Sequence, residues 1–181
     1  NAPLEWAWQY VFAAADYSTD PRTGVIRRHH IHEKTIQRAM RAAVIAAEER
    51  AGLMTLERYH EFAEQARETK RALLDFLTAA RRKGQSIVGY GAPAKGNTLL
   101  NYCGVRTDFI DYTVDRSPHK QGLYLPGTRI PIHAPDRIAQ TRPDYVLILP
   151  WNLRQEIAGQ MAGIREWGGR FVVPIPEVTV L

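Results

Sequence analysis

The spacing of apolar residues predicts a long helix in the middle of the chain, over residues 55–83. Its apolar side chains recur three, four or seven positions apart, which places them on one face of a helix. These positions are Leu56, Tyr59, Ala63, Ala66, Leu73, Leu77 and Ala80. Thr55 suits the N-cap, and Gly84 follows a basic last turn, where helices commonly end.

The chain before this helix has weaker helical patterns. A helix is predicted over about 33–50, where apolar residues again share one face. Another helix is predicted over 3–15, and a loop rich in turn-forming residues follows it over 17–24. We therefore expect residues 1–54 to form an N-terminal helical extension, to which the pattern assigns no function.

After Gly84 the pattern changes to short apolar runs that alternate with helical segments and with loops containing Gly and Pro. Such alternation indicates a parallel sheet with crossover helices. Predicted strands cover 86–90, 109–114, 128–132, 145–149 and 170–173, and predicted helices cover about 96–103, 135–141 and 153–166. The strand at 145–149 is the most apolar and is expected at the sheet centre, whereas 170–173 is expected to close the sheet.

Composition excludes several classes of protein without changing this picture. The chain has 181 residues, of which 45% are hydrophobic and 24% charged, as in ordinary globular proteins. Its single cysteine, Cys103, allows no internal disulfide, so a reducing compartment such as the cytoplasm is expected. No apolar run approaches the roughly 20 residues that a membrane-spanning helix needs, and the start of the chain does not resemble a signal peptide.

The positive charge of the chain is not concentrated in one region. Lys and Arg exceed Asp and Glu by 24 − 19 = +5 overall, by 14 − 11 = +3 in residues 1–85 and by 10 − 8 = +2 in residues 86–181. A nucleic-acid-binding surface needs a clustered basic stripe, so we expect no nucleic-acid partner. The diffuse positive charge suits a small anionic ligand and the absence of any such ligand equally well.

The strongest chemical signal is a glycine-rich loop after the first predicted strand of the sheet. Gly89-x-Gly91-x-x-Ala94 matches the dinucleotide-binding pattern, in which glycines let the backbone approach a pyrophosphate at a helix N-terminus. Asp115 lies 21 residues beyond Ala94, where an acid binds ribose hydroxyls in such folds. Pro93 and Lys95 are unusual in this pattern. The alternative is a tight strand-to-helix turn with a solvated Lys95.

The carboxyl ends of parallel strands meet at one rim of an open sheet, and ligands bind there. Four loops are therefore expected to share this rim, at 89–98, 115–116, 150–152 and 174–177. The candidate binding residues are Gly89, Tyr90, Gly91, Ala92, Lys95, Gly96, Asn97, Thr98, Asp115, Lys120, Trp151 and Asn152.

Several of these candidates have an equally plain structural interpretation. Asp115 also suits an ordinary loop carboxylate, and Lys120 a solvated loop charge. Trp151 suits either a stacking surface for a base or sugar or a ring in the core. Asn152, with Gln155, resembles a helix-capping box.

Two other features of the sequence do not indicate a site. The cluster His29-His30-Ile31-His32 lacks the further spaced ligands that zinc requires, so we expect no metal. Cys103 follows a predicted helix without any sign of an activating neighbour, which favours a small buried hydrophobe over a nucleophile.

Four stretches of the chain closely resemble one protein family. They are GYGAPAKGNTLLNY at 89–102, DYTVDRSPHKQGLYLPGTRIP at 111–131, DYVLILPWNL at 144–153 and EWGGRFVVPIPEV at 166–178. This family is the C-terminal domain of S-adenosylmethionine (SAM)-dependent C-methyltransferases that act on nucleotide-linked deoxysugars. The resemblance extends from about Thr55 to Val178, and residues 1–50 carry no such likeness.

The resemblance implies a fold and a domain division. The expected fold is α/β, with a Rossmann-like open, mostly parallel sheet of about five strands flanked by helices and preceded by the N-terminal helical segment. Residues 55–181 would form the C-terminal domain, and residues 1–54 remain unassigned. In full-length members, a central domain binds SAM and transfers its methyl group to the carbon beside the keto group of a nucleotide 4-ketosugar.

The resemblance also implies how this domain contributes. It would hold a nucleotide sugar of the dTDP type, with Lys95 as a countercharge to phosphate and Asn97 and Thr98 as hydrogen-bond donors. Residues 1–54 are too short for a methyltransferase domain, so we expect no cofactor on this chain and no methyl transfer by it alone. A SAM-binding domain in cis or in trans is the implied partner.

Two interpretations from other classes stand beside this one. The first is a stand-alone Rossmann-type protein that binds NAD or a similar nucleotide. Lys95 separates it from the leading interpretation, because a dinucleotide loop relies mainly on backbone N–H groups. The second is an interaction domain whose long helix forms a homodimer.

Overall fold

The computed structural model describes residues 13–30 and 33–181 of the chain. The chain divides into two compact units, Asn1–His60 and Glu61–Leu181. No helix of the described ranges is both long and apolar enough to cross a membrane.

The first unit contains a hairpin and a helix. Strand β1 (Ala13–Thr19) pairs antiparallel with β2 (Ile26–His30), and Thr19 lies opposite Ile26. Gly24 has a φ of +69° in the connecting turn, where its N–H donates to Asp20 O at 2.8 Å. Helix α1 (Glu33–Arg50) follows and has the predicted bounds.

The hairpin corrects two predictions made from local pattern. The predicted helix over 3–15 is wrong at residues 13–15, which belong to β1, and its earlier residues lie outside the described ranges. The predicted loop over 17–24 is shorter, because 17–19 continue the strand. The alanines at 13–15 favour a helix by intrinsic propensity, but cross-strand pairing overrides that preference.

Helix α2 (Leu56–Arg82) agrees closely with the predicted long helix. Thr55 caps it, since its hydroxyl oxygen accepts a hydrogen bond from Arg58 N–H at 3.4 Å. Beyond the last turn, Gly84 takes a φ of +71°, as expected for a helix stop. Only the C-terminal half of the predicted apolar stripe is buried, at Leu73, Leu77 and Ala80.

The second unit is built on a six-stranded sheet. Its strands are β3 (Ile87–Tyr90), β4 (Thr113–Val114), β5 (Ile132–His133), β6 (Tyr145–Ile148), β7 (Arg170–Val173) and β8 (Thr179–Val180). Their spatial order is β5-β4-β3-β6-β7-β8, and all neighbours pair in parallel except β7 with β8. Counted within the sheet this order is 3-2-1-4-5-6, the order of the Rossmann fold. The predicted α/β, Rossmann-like class is confirmed, and β6 is central as predicted.

Three features of the sheet differ from the prediction. The sheet has a sixth strand, β8, so 170–173 does not close it. Strand β4 is shorter than the predicted 109–114, because the N–H groups of Phe109 and Ile110 donate to Arg106 O in a turn. Strand β5 begins only at residue 132, because the chain before it forms a turn in which the Arg129 N–H donates a hydrogen bond to Leu125 O at 3.0 Å.

Helices and short 3-10 segments connect the strands. Helix α3 (Ala94–Cys103) follows β3, α4 (Arg137–Thr141) follows β5, and α5 (Arg154–Gln160) follows β6. Two 3-10 helices, Trp151–Leu153 and Ala162–Trp167, flank α5 where one continuous helix over 153–166 was predicted.

Apolar layers cover both faces of the sheet. One layer joins α2 and α3 to the strands and includes Leu73, Leu77, Leu99, Leu100, Ile87, Leu147 and Val172. The other includes Val88, Tyr90, Val146, Ile148, Phe171, Ile138, Ile157 and Ile164. Burial on both faces explains why these strands read as continuous apolar runs, and it gives the loops at the strand ends a rigid support.

Candidate functional site

The loop between β3 and α3 closely approaches the end of the central strand β6. Gly91 has a φ of +87°, and a Cβ at this position would lie 2.7 Å from Pro150 Cδ. A Cβ on Gly96 would lie 2.7 Å from Leu149 Cβ. Both distances are far below van der Waals contact, so only glycine lets the loop and the first turn of α3 pack here.

The backbone donors of this loop are largely engaged within the protein. Gly91 N–H donates to Val114 O at 2.6 Å, Ala92 N–H donates to Asp115 Oδ2 at 2.7 Å, and Pro93 has no N–H. The first N–H groups of an α-helix have no intrahelical acceptor, and Pro93 provides no side-chain cap for α3. The N–H groups of Ala94, Lys95 and Gly96, in the first turn, are therefore the ones without an intrahelical acceptor.

Lys95 joins this helix terminus to the loop after β6. Its ammonium donates a hydrogen bond to Asn152 Oδ1 and lies 4.6 Å from the centroid of the Trp151 ring. Both partners are neutral, and no carboxylate among the described residues forms an ion pair with Lys95. The positive charge of Lys95 is therefore held in place without being neutralised.

The roles of Trp151 and Asn152 follow from this contact. Trp151 is half-buried and packs against both core layers, and the Lys95 ammonium makes a cation–π contact with its ring. Asn152 does not cap the next helix, because the 3-10 turn Trp151–Leu153 intervenes and Leu153 is the N-cap residue of α5. The predicted capping box with Gln155 is therefore wrong.

Asp115 and Lys120 form a second cluster on the other side of the loop. Asp115 Oδ1 accepts a hydrogen bond from Ser117 N–H at 2.9 Å, and Asp115 Oδ2 accepts from Ala92 N–H and from Lys120 Nζ at 3.1 Å. Lys120 Nζ also donates to Ala92 O at 3.1 Å. Burial opposes ionisation of Asp115, but the hydrogen bonds from Ser117, Ala92 and Lys120 outweigh it and lower its pKa.

The structure does not bring every predicted residue to the rim. The Tyr90 side chain is 6% exposed and lies in the core, where burial raises the pKa of its hydroxyl. Gly89 packs against Thr113, whose Oγ1 would lie 2.7 Å from a Cβ on Gly89. The Thr98 hydroxyl donates to Ala94 O at 3.0 Å within α3. Asn97 Oδ1 is a buried acceptor with no hydrogen-bond partner among the described residues.

Sequence reasoning missed two residues that shape the loop. The Thr113 hydroxyl donates to Gly91 O at 2.8 Å and is fully buried. Ser117 supplies the second donor to Asp115. The position of a threonine between Tyr112 and Val114 is the one sequence signal that pointed to Thr113, because a buried hydroxyl needs a partner.

The fourth predicted loop lines a separate groove. Residues 174–178 border an open, mainly apolar groove of about 780 Å³ together with residues of α2 and α3. Its other lining residues are Phe62, Gln65, Ala66, Glu68, Thr69, Ala72, Leu99 and Tyr102.

The histidine cluster and Cys103 are the remaining features that the sequence singled out. Of the cluster His29-His30-Ile31-His32, Ile31 and His32 lie outside the described ranges. Within those ranges, no group of three or more His, Cys, Asp or Glu side chains is arranged to hold a metal ion. Cys103 is buried, and burial raises the pKa of its thiol despite the opposing charge of Lys70.

Most of this chain is similar in sequence to known C-methyltransferases. Residues 23–176 match the family described as the C-methyltransferase C-terminal domain. The C-methyltransferase NovU of Streptomyces niveus is 39% identical over 140 residues, which are 77% of this chain and 33% of NovU. The chain thus spans about a third of the length of this relative.

Two further similarities cover less. An integrase/recombinase of Escherichia coli is 52% identical over 53 residues, which are 29% of this chain and 14% of that protein. The solved structure of UDP-D-quinovosamine 4-dehydrogenase from Vibrio fischeri shares 20% identity with a TM-score of 0.38, over 51% of this chain and 79% of that one. This structural likeness is too low to bear on function.

The family match includes the features that define the candidate site. Its residues 23–176 contain the β3–α3 loop with Lys95, the Asp115 cluster and the loop after β6. The chain belongs to the C-methyltransferase C-terminal domain family.

Proposed function

We propose that this chain is the nucleotide-sugar-binding domain of a SAM-dependent C-methyltransferase, which methylates the carbon beside the keto group of a nucleotide-linked 4-ketosugar. The family membership and the similarity to NovU support the methyltransferase part of this proposal. The nucleotide sugar, of the dTDP type, would bind at the rim between the β3–α3 loop and the loop after β6.

One observation carries the proposal. Lys95 lies in the first turn of α3, and among the described residues its ammonium has only an amide oxygen and an aromatic ring as partners. The unpaired N–H groups of that turn and the helix dipole also favour an anion. A phosphate oxygen would compete with Asn152 Oδ1 for the Lys95 ammonium, because a charged acceptor makes the stronger hydrogen bond.

The engaged backbone of the loop argues against a dinucleotide such as NAD. A dinucleotide-binding loop offers backbone N–H groups to the pyrophosphate, but those of Gly91 and Ala92 are used internally and Pro93 has none. The remaining donors at α3, together with the point charge of Lys95, suit the diphosphate of a nucleotide sugar. Asn97 would line the same turn.

The described residues do not fit SAM as a second ligand. Within residues 13–30 and 33–181, the parallel sheet has one glycine-rich strand-to-helix loop, and we assign it to the diphosphate. We therefore propose that the SAM site lies in another domain, in cis or in trans, and that this chain alone transfers no methyl group. Because its single cysteine suits a reducing compartment, we place the protein in the cytoplasm.

Calorimetry on the purified chain tests the proposal. Separate titrations would use dTDP, a dTDP-sugar, NAD and SAM, with Lys95→Ala as the test variant and Lys83→Ala, beyond the end of α2, as its control. We expect dTDP and the dTDP-sugar to bind and NAD and SAM not to bind. Loss of one charge-assisted contact should weaken dTDP binding about tenfold in Lys95→Ala and leave the control unchanged.

Two results would overturn the proposal. One is tight NAD binding without dTDP binding, which would favour a stand-alone dinucleotide-binding protein. The other is an unchanged dTDP affinity in Lys95→Ala, which would remove Lys95 from the site.

A further inference from the structure

We propose that Asp115 and Lys120 are positioning residues that lock the β3–α3 loop, and that Asp115 does not contact the ribose of a bound nucleotide. This inference rests on the proposed function only where it concerns the diphosphate that would bind beside the locked loop. It differs from the role that the dinucleotide pattern predicts for an acid at the end of the second parallel strand.

The carboxylate of Asp115 is already nearly saturated. It accepts three hydrogen bonds, from Ser117 N–H, Ala92 N–H and Lys120 Nζ, at 2.7–3.1 Å. Its side chain is 14% exposed. A carboxylate offers about four acceptor positions, so the two hydroxyls of a ribose diol, the group that the dinucleotide pattern assigns to this acid, would have to displace a backbone N–H or the Lys120 ammonium. The deoxyribose of a dTDP-type ligand has no such diol.

The lock acts on a single residue of the loop. The Ala92 N–H donates a hydrogen bond to Asp115, and the Ala92 C=O accepts one from Lys120, so both backbone polar groups of this residue are engaged. Gly91 before it has a φ of +87°, which glycine adopts without strain. Ala92 directly follows this glycine and lies two residues before α3 begins.

The position of the lock decides what the loop presents to a ligand. With Ala92 N–H turned towards Asp115, the loop cannot offer that donor to an anion. The anion is then limited to the first turn of α3 and to Lys95, on the other side of Pro93. Asp115 and Lys120 therefore affect ligand binding through Ala92, without touching the ligand.

Amide hydrogen exchange tests the lock without any ligand. The Ala92 amide would be followed by NMR in the wild type, Asp115→Ala, Asp115→Asn and, as a control, Asp108→Ala in an exposed turn. We expect Ala92 to exchange at least about tenfold faster in Asp115→Ala, because a hydrogen bond to a charged acceptor is lost. Asp115→Asn, which keeps an acceptor oxygen, should restore much of the protection. Equal exchange rates in all four proteins would overturn the lock.

Pyrophosphate contains the phosphates of dTDP but no sugar. Its binding therefore distinguishes a positioning role of Asp115 from a direct contact with the nucleotide's sugar. If Asp115 positions the loop, Asp115→Ala changes the affinities for pyrophosphate and for dTDP by the same factor, and Lys120→Met likewise changes both affinities by one common factor. If Asp115 instead contacts the 3′-hydroxyl of the nucleotide's deoxyribose, Asp115→Ala weakens only dTDP, and the positioning role is refuted. If the wild type binds neither ligand, the proposed function fails, and amide exchange alone then decides whether the lock exists.

Discussion

Replacing Gly96 by alanine tests the close packing that supports the candidate site. Gly96 lies in the first turn of α3, in helical conformation, so intrinsic propensity alone predicts that alanine stabilises it by up to about 1 kcal/mol. The structure predicts the opposite, because the new Cβ would lie 2.7 Å from Leu149 Cβ and 3.2 Å from Pro93 Cγ. Neither neighbour can move aside easily, because Leu149 is fully buried in the core and the ring of Pro93 restricts its conformation.

The magnitude follows from these two opposing effects. Overpacking a close contact costs about 1–3 kcal/mol, and the gain in propensity offsets up to about 1 kcal/mol of that cost. We expect Gly96→Ala to lower the free energy of unfolding by about 1–2 kcal/mol. Urea denaturation followed by circular dichroism measures the change directly, since a lower midpoint at an unchanged slope reports lost stability.

Gly159 in α5 provides a matched control. A Cβ at this position would meet no atom within 4 Å, so Gly159→Ala should stabilise the protein by about 0.5 kcal/mol. The same substitution in two helices is thus predicted to have opposite signs. If Gly96→Ala proves as stable as Gly159→Ala, the close approach of α3 to the end of β6 is refuted.

Three other predictions concern the contacts around the loop. Thr113→Val removes the buried donor to Gly91 O and should cost about 1–2 kcal/mol, which thermal unfolding would detect, whereas Thr113→Ser keeps this donor and should cost only the loss of one buried methyl group, about 0.5–1 kcal/mol. Asn152→Asp should weaken dTDP binding more than Asn152→Ala, because a carboxylate would neutralise Lys95; equal affinities in calorimetry would contradict this pairing. Since the pKa of Asp115 is lowered on folding, its stabilising effect is complete above the ordinary carboxyl pKa of about 4 and is lost as the pH falls through the lower folded value. The stability difference between the wild type and Asp115→Asn, measured in urea, should therefore shrink between pH 6 and pH 3, and a difference independent of pH would refute the argument.

Local periodicity was sufficient to predict most of the helices and the centre of the sheet. Helices α1 and α2 carry an apolar face every three to four residues, and β6 is a continuous apolar run, so their positions follow from neighbours in sequence. Strand β8 consists of two exposed residues that pair antiparallel with β7, and no local pattern marks such a strand. The β1–β2 hairpin was missed for the same reason, because pairing between strands determines it.

The candidate site was predictable as a location but not as a set of contacts. The glycine pattern and Lys95 identified the β3–α3 loop, which lies at the carboxyl end of β3. The alternation of side chains along a strand places Tyr90 on the same buried face as Val88, which a stricter use of the two-residue period would have predicted. The contact between Lys95 and Asn152 joins residues 57 apart in sequence, and nothing local indicates it.

We propose above all that the first turn of α3 and Lys95 bind the diphosphate of a nucleotide sugar. NMR titration of the chain with dTDP tests this binding most directly, by following the backbone amides of Ala94, Lys95 and Gly96 and the side-chain amide of Asn152. We expect these four signals to shift together and to saturate with one dissociation constant. Shifts confined to other regions, such as the groove beside residues 174–178, or no shift at all, would contradict it.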